Sequence, residues 1–318
     1  MDAVRGTAYR GQTRAGVIAL FAVLAAINGA AWVALFAAAH KFALLLPLGI
    51  TAYVLGLRHA VDPDHIAAID GTTRKLLHEG KPAQTVGFFF SLGHSTIVFV
   101  LSLLLAAFGS ALKTHFPSLQ TAGALFGTGV SALFLIAIAA ANCVVLFEIL
   151  RGKQPVDAGF PGGGFLVRLL RPALRTVKSA PQMYPVGVLF GLGFDTATEV
   201  ALLGISAASA AGGMPMAYIL ILPWLFTAGM SLVDSLEGVA MLGAYGWADV
   251  QPARKLVYNL NMTVLTIAIA LFVAVAESAD AMGAHLAFSM TSMGYGIMAI
   301  FGANVATTAV YFRLRRRG

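Results

Sequence analysis

Five titratable side chains crowd into RHAVDPDHIA, residues 58–67: Arg58, His59, Asp62, Asp64 and His65. Three further stretches have the same character. SLGHST places His94 among Ser91, Ser95 and Thr96; GLGFDTATE carries Asp195, Thr196, Thr198 and Glu199; GMSLVDSLEG carries Met230, Asp234, Ser235 and Glu237. Imidazoles with carboxylates and almost no sulfur suit a borderline transition metal such as nickel, cobalt or zinc, whereas an all-oxygen set would suit magnesium or calcium. Imidazole ligates only when neutral, so an arriving ion displaces protons. On a helix turning about 100° per residue, His59, Asp62 and His65 cover an arc of roughly 120° with Asp62 in its middle. Asp64 points elsewhere unless Pro63 kinks or unwinds the helix there. Asp195 and Glu199 stand at i and i+4, and Met230, Asp234 and Glu237 share one stripe.

The elements that carry these groups are very apolar. Of 318 residues, 58% are hydrophobic and 11% charged, and the mean hydropathy is +0.82. That composition belongs to an integral membrane protein. About 20 helical residues cross a hydrocarbon core roughly 30 Å thick. The sequence predicts eight such spans, near 15–38, 43–69, 85–108, 121–148, 183–210, 216–243, 256–276 and 290–312. The apolar runs are continuous, which excludes the alternating segments of a membrane β-barrel. The fold class expected is therefore an all-α bundle of eight transmembrane helices. The first apolar run is longer than the core of a signal peptide, so it is read as a retained helix.

At a rise of about 1.5 Å per residue, His59, His94, Asp195 and Glu199 lie within roughly 5 Å of the midpoints of their spans. Asp234 lies a little further toward the cytoplasm. Charge at that depth costs between about 3 and 15 kcal/mol, so such residues face the bundle interior and carry function. Asp62, Asp64, Asp195, Glu199, Asp234 and Glu237 would set six negative charges against the fixed positive charge of Arg58. A cavity so lined must take up protons, water or a cation.

Orientation follows from the basic residues, which concentrate in cytoplasmic loops. Of the 21 Lys and Arg, Lys41 and Lys113 fall outside and Arg58 within a span. The remainder, including Arg74, Lys75, Lys81, Arg168, Arg171, Arg175, Lys178 and the run Arg315 to Arg317, fall inside, which places both termini in the cytoplasm. The formal charge of +7 is then a consequence of topology and does not indicate nucleic acid. Cys143 is alone, so no internal disulfide is possible. Residues 1–148 form the first four helices, 149–182 a cytoplasmic loop, and 183–318 the last four, all in one transmembrane domain. Within the loop, FLVRLLRPALRTVK has basic residues at spacings of three and four, as in an amphipathic helix on the membrane surface. FSLGHS (90–95) aligns with FTAGMS (226–231), and the second span with the fifth, so that three helices separate each pair. An odd offset inverts the second copy, as in many secondary transporters.

RHAVDPDHIAAID, SLGHSTIV, MYPVGVLFGLGFDTATEVALLGIS and GMSLVDSLEG, in that order, resemble the nickel/cobalt transporter family, often called NiCoT. Its second-helix signature is a His, four residues, then Asp-His, here His59, Asp64 and His65. The resemblance implies a multi-pass permease of the plasma membrane, the bacterial inner membrane, that imports nickel or cobalt as substrate. It implies no cofactor, no catalytic activity and no ATPase subunit. The family's metal positions carry over to His59, Asp62, Asp64, His65, His94, Asp195, Glu199, Asp234 and Glu237, with Arg58, Thr196, Ser95 and Met230 accessory. Pro63 stands where the family usually has Ala, and Ser235 and Glu237 where Thr and Asp are common. Distant relatives that export metal tend to carry a His-rich loop, and none is present here. Two other classes use intramembrane His and acids: a proton-coupled carrier of a small organic solute and a membrane metalloenzyme. The latter lacks a His-Glu-x-x-His pattern in this chain.

Overall fold

A computed structural model describes residues 14–112, 116–150, 177–193, 197–249, 252–284 and 290–314. Among these residues there are helices and no strands. The helices are α1 Arg14–Ala39, α2 Leu45–His59, α3 Pro63–His78, α4 Val86–Leu112, α5 Phe116–Leu150, α6 Met183–Gly191, α7 Ala197–Ala211, α8 Met216–Ile219, α9 Ile221–Asp249, α10 Pro252–Ala281 and α11 Met290–Leu314. Among the described residues, five stretches are long and apolar enough to cross a membrane: Arg14–Ala39, Val86–Phe108, Leu125–Val144, Met216–Tyr245 and Leu260–Asp280. These cover the expected first, third, fourth, sixth and seventh spans. The amphipathic helix expected in the loop falls almost wholly in residues 151–176, outside the described residues.

Burial is inverted relative to a protein in water. Ile18, Val33 and Val275 are each 68% exposed, while His59, His65, Asp234 and Glu199 are at most 1% exposed. An outer surface of this kind suits hydrocarbon as solvent, and the polar groups it cannot accept are turned inward.

The second and fifth spans are not single helices. α2 stops at His59, where Val61 N–H donates to the Arg58 carbonyl and Asp62 N–H to the His59 carbonyl. Asp62 is extended (φ −66°, ψ 142°), and Pro63 opens α3 at a position where its missing N–H costs nothing. Proline also disfavours helical geometry in the residue before it, which is Asp62. The expected kink is therefore a full break, and the continuous arc expected for His59, Asp62 and His65 is replaced by three residues on either side of a turn. α3 then continues to His78, well past the expected end at residue 69. Arg74, expected in a cytoplasmic loop, is instead 1% exposed inside this helix. In the fifth span α6 ends at Gly191 in a turn at Leu192 and Gly193, and the next described helix is α7.

Among the helix pairs that cross at backbone contact, two correspond, α2 with α9 and α4 with α6. A Cβ added to Gly56 would collide with the Phe226 carbonyl, and one on Gly187 with the Phe90 carbonyl; one on Gly229 would meet Tyr53 O and Leu57 N, and one on Gly93 would meet Tyr184 O and Val188 N. Adding 131 to Tyr53, Gly56 and Leu57 gives Tyr184, Gly187 and Val188, and adding 136 to Phe90 and Gly93 gives Phe226 and Gly229. The two crossings thus use corresponding residues in the same register. The alignment of FSLGHS with FTAGMS has the same offset as the α4 and α9 contacts.

Candidate metal centre

The helix break brings His59, the last residue of α2, beside Asp62. The His59 Nδ1 to Asp62 Oδ2 distance is 2.9 Å, and the Thr198 hydroxyl of α7 lies 3.0 Å from the same nitrogen. With Nδ1 so held, Nε2 is presented to the interior. It lies 2.9 Å from His94 Nε2 on α4, which in turn lies 2.7 Å from Glu199 Oε1 in the first turn of α7. His59 Nε2 and Glu199 Oε1 are 3.9 Å apart. Donors bound to one transition-metal ion at about 2.0–2.1 Å stand about 2.9 Å apart at right angles and about 3.4 Å apart in a tetrahedron. The three atoms bracket those separations.

His65, in the first turns of α3, closes the group. One ligand atom from each of His59, His65 and His94 lies within 4.8 Å of the others. His65 Nδ1 is 3.3 Å from Asp234 Oδ1 on α9, and His65 Nε2 has no hydrogen-bond partner. A carboxylate on one ring nitrogen and a free opposite nitrogen is the usual setting of a metal-binding histidine. The Phe226 ring packs 5.4 Å from His59, and the Phe90 ring packs edge-on 4.8 Å from His65. These apolar walls limit water and strengthen electrostatics inside. Gly187 and Gly191 set His94 in place: a Cβ on either would lie 2.9 Å from a backbone atom of His94, so α6 can approach α4 only because both are glycine.

Other expected residues stand apart. Asp64 is half-buried, and its Oδ1 accepts from the His65 N–H at 2.9 Å, at the start of its own helix. Arg58 is half-buried with its charge acting on Asp62. Met230 is buried in an apolar cluster with Leu225 and Phe226. Ser95 is 3% exposed and its Oγ has no hydrogen-bond partner. Glu237 sits one turn beyond Asp234, its Oε1 without a partner, close enough to Asp234 and Asp70 to feel their charges. Asp195 and Thr196 lie outside the described residues.

Two polar contacts were not anticipated. Glu277 of α10 accepts from Ser131 of α5 at 2.7 Å. Asp70, Arg74, Tyr245, Thr263 and Thr266 form a second buried cluster joining α3, α9 and α10. The available signal for that cluster was an acid and a base at i and i+4 within one unbroken helical stretch.

A helical bundle with an apolar outer surface, whose interior gathers three imidazoles and two carboxylates from five helices, is compatible with a membrane protein that handles a transition-metal ion. Residues 45–314 match the NicO family, described as high-affinity nickel-transport protein. The chain is 42% identical over 331 residues to a high-affinity nickel transport protein of Cupriavidus necator, covering 96% of this chain and 94% of the relative. It is 42% identical over 279 residues to the nickel transporter NicT of Mycobacterium tuberculosis (81% and 75% covered), and 45% identical over 239 residues to the cobalt transport protein NhlF of Rhodococcus rhodochrous (71% and 68% covered). No solved structure matches. The chain belongs to the NicO family, whose members are transporters rather than enzymes.

Proposed function

We propose that this chain is a single-component permease that imports nickel or cobalt ions across the bacterial inner membrane, with both termini in the cytoplasm and eight passes through the bilayer. The observation that carries the reading is the convergence of His59 Nε2, His94 Nε2 and Glu199 Oε1, at 2.9 and 2.7 Å around His94. Two imidazole nitrogens that close need a proton or a cation between them, and a dication supplies charge that a buried carboxylate requires. His65 completes the ligand set from the α3 side, with Asp234 of α9 orienting it as Asp62 orients His59. Asp64, Asp195 and Glu237 are assigned to the approach and departure of the ion, and Arg58 to balancing Asp62 when no ion is bound. Ser95, Thr196 and Met230 are accessory.

The matched crossings of α2 with α9 and α4 with α6 support an inverted repeat, with the metal centre at the junction of its halves. Residues 1–148 and 183–318 would hold the two groups of four passes, joined by the loop at 149–182. The lipid bilayer and the metal ion are then the partners the chain requires. The test is uptake of radioactive nickel and cobalt into proteoliposomes holding the purified protein. Wild type should accumulate either ion, and His59→Ala should lose at least about 90% of the rate, since a central ligand is worth a factor of ten or more. Undiminished uptake by His59→Ala would remove the assignment of the site.

A further inference from the structure

Arg74 is the largest fully buried side chain of the molecule among the described residues. One of its guanidinium nitrogens donates to Thr266 Oγ1 at 3.5 Å, another donates to Thr263 Oγ1, and its central carbon lies 5.9 Å from the centre of the Tyr245 ring. Asp70, one turn earlier on α3, receives the Tyr245 hydroxyl on Oδ1 at 2.9 Å and the Thr266 hydroxyl on Oδ2 at 2.8 Å. Thr266 therefore accepts from the cation and donates to the anion. α3, α9 and α10 are tied together by an acid and a base of opposite charge, bridged by the Thr266 hydroxyl and held further by the hydroxyls of Tyr245 and Thr263.

The cluster lies along the same helices as the metal centre. Asp70 is five residues past His65 on α3, about 7.5 Å along the axis, and Tyr245 is eleven past Asp234 on α9, about 16 Å. Both steps lead toward the end read as cytoplasmic. Glu237 lies between, within electrostatic range of Asp234 and Asp70. Along the α3–α9 seam, Glu237, then Asp70, then the buried guanidinium follow His65 and Asp234 in order toward that end. A fixed positive charge in a medium of low dielectric opposes a dication strongly.

We propose that Asp70, Arg74, Tyr245, Thr263 and Thr266 form the inner latch of the transporter. While closed, Arg74 neutralises Asp70 and seals the cytoplasmic side of the metal centre. Release requires α3 to part from α9 and α10, so that Arg74 leaves Asp70 and that carboxylate faces the outgoing ion. These are positioning residues, acting on access rather than binding the ion at its central site. The proposal rests on the import reading above and adds the element that closes the inner face.

The test uses the full-length chain carrying Cys143→Ala and Ser235→Cys, in vesicles of both orientations. Ser235 is fully buried on α9 beside Asp234, so its replacement reports access to the centre. Labelling by a membrane-impermeant thiosulfonate is compared with and without Arg74→Gln. The latch predicts labelling from the cytoplasmic side about tenfold faster in Arg74→Gln, unchanged labelling from the opposite side, and equilibrium nickel binding within about twofold of the parent. Tyr245→Phe and Thr266→Val each delete one hydroxyl from Asp70 and should give smaller accelerations on the same side, which keeps the test open if Arg74→Gln does not fold. Unchanged rates, or equal acceleration from both sides with weakened nickel binding, overturn the latch in favour of a purely structural cluster. Nickel uptake by the wild-type chain is measured in parallel; its absence removes the import reading and the latch with it, whereas normal uptake with unchanged labelling removes the latch alone.

Discussion

His59 shows how one ring can serve two purposes. Its Nδ1 is held from two sides, by Asp62 at 2.9 Å and the Thr198 hydroxyl at 3.0 Å, which fixes the ring plane and directs Nε2 toward His94 and Glu199. Loss of one outer partner should weaken the metal without abolishing the site. Thr198→Val is expected to lower nickel affinity about tenfold, read by equilibrium binding of radioactive nickel to purified protein. Affinity equal to wild type would mean that Asp62 alone orients the ring. At this scale the sequence was informative because a buried His or acid is costly enough to announce itself: His59, Asp62, His65, His94, Glu199 and Asp234 were all visible as expensive residues in apolar segments. Asp64 was less legible because its carboxylate is used locally, on the amide of the residue that follows it. Thr198 was hard to rank above Thr196, since a hydroxyl carries little cost and little signal in a membrane helix.

The elements place these residues through two breaks and two close crossings. Apolar periodicity hid the breaks: Ala60, Val61 and Asp62 barely lower the hydropathy of a long greasy run, so α2 and α3 read as one span. Pro63 offered the only local hint of interruption there. The same limit hid Asp70 and Arg74, because the hydropathic end of the span was placed at 69 while the helix runs to His78. The crossings depend on glycine more directly. Gly93→Ala and Gly229→Ala should each lower stability by about 1–3 kcal/mol through overpacking against backbone atoms. The expected readout is thermal unfolding in detergent, with the two variants alike because the contacts they disturb correspond. A large loss for one and none for the other would break the equivalence of the α2–α9 and α4–α6 pairs.

For the whole molecule, the proposed orientation rests on the distribution of charge, and the membrane as solvent on the distribution of apolar surface. Basic residues gather toward the two ends of the sequence and between its apolar runs, and large exposed apolar residues include Ile18, Val33 and Val275. A fluorescent protein fused after Gly318 should therefore fluoresce, and alkaline phosphatase at the same position should stay inactive in intact bacteria. The opposite pattern would reverse the direction assigned to every helix. Helical class and membrane residence were readable from composition alone, since no other architecture satisfies so many apolar residues in continuous runs. The number of passes was less secure, because counting spans assumes that each is one rod.

The four glycines at the crossings rest on carbonyl oxygens and amide nitrogens, atoms that any amino acid supplies. The distance of the His59 rod from α9, and of the His94 rod from α6, is therefore written into main chain, and the side chains surrounding those points can drift widely without moving either rod against its neighbour.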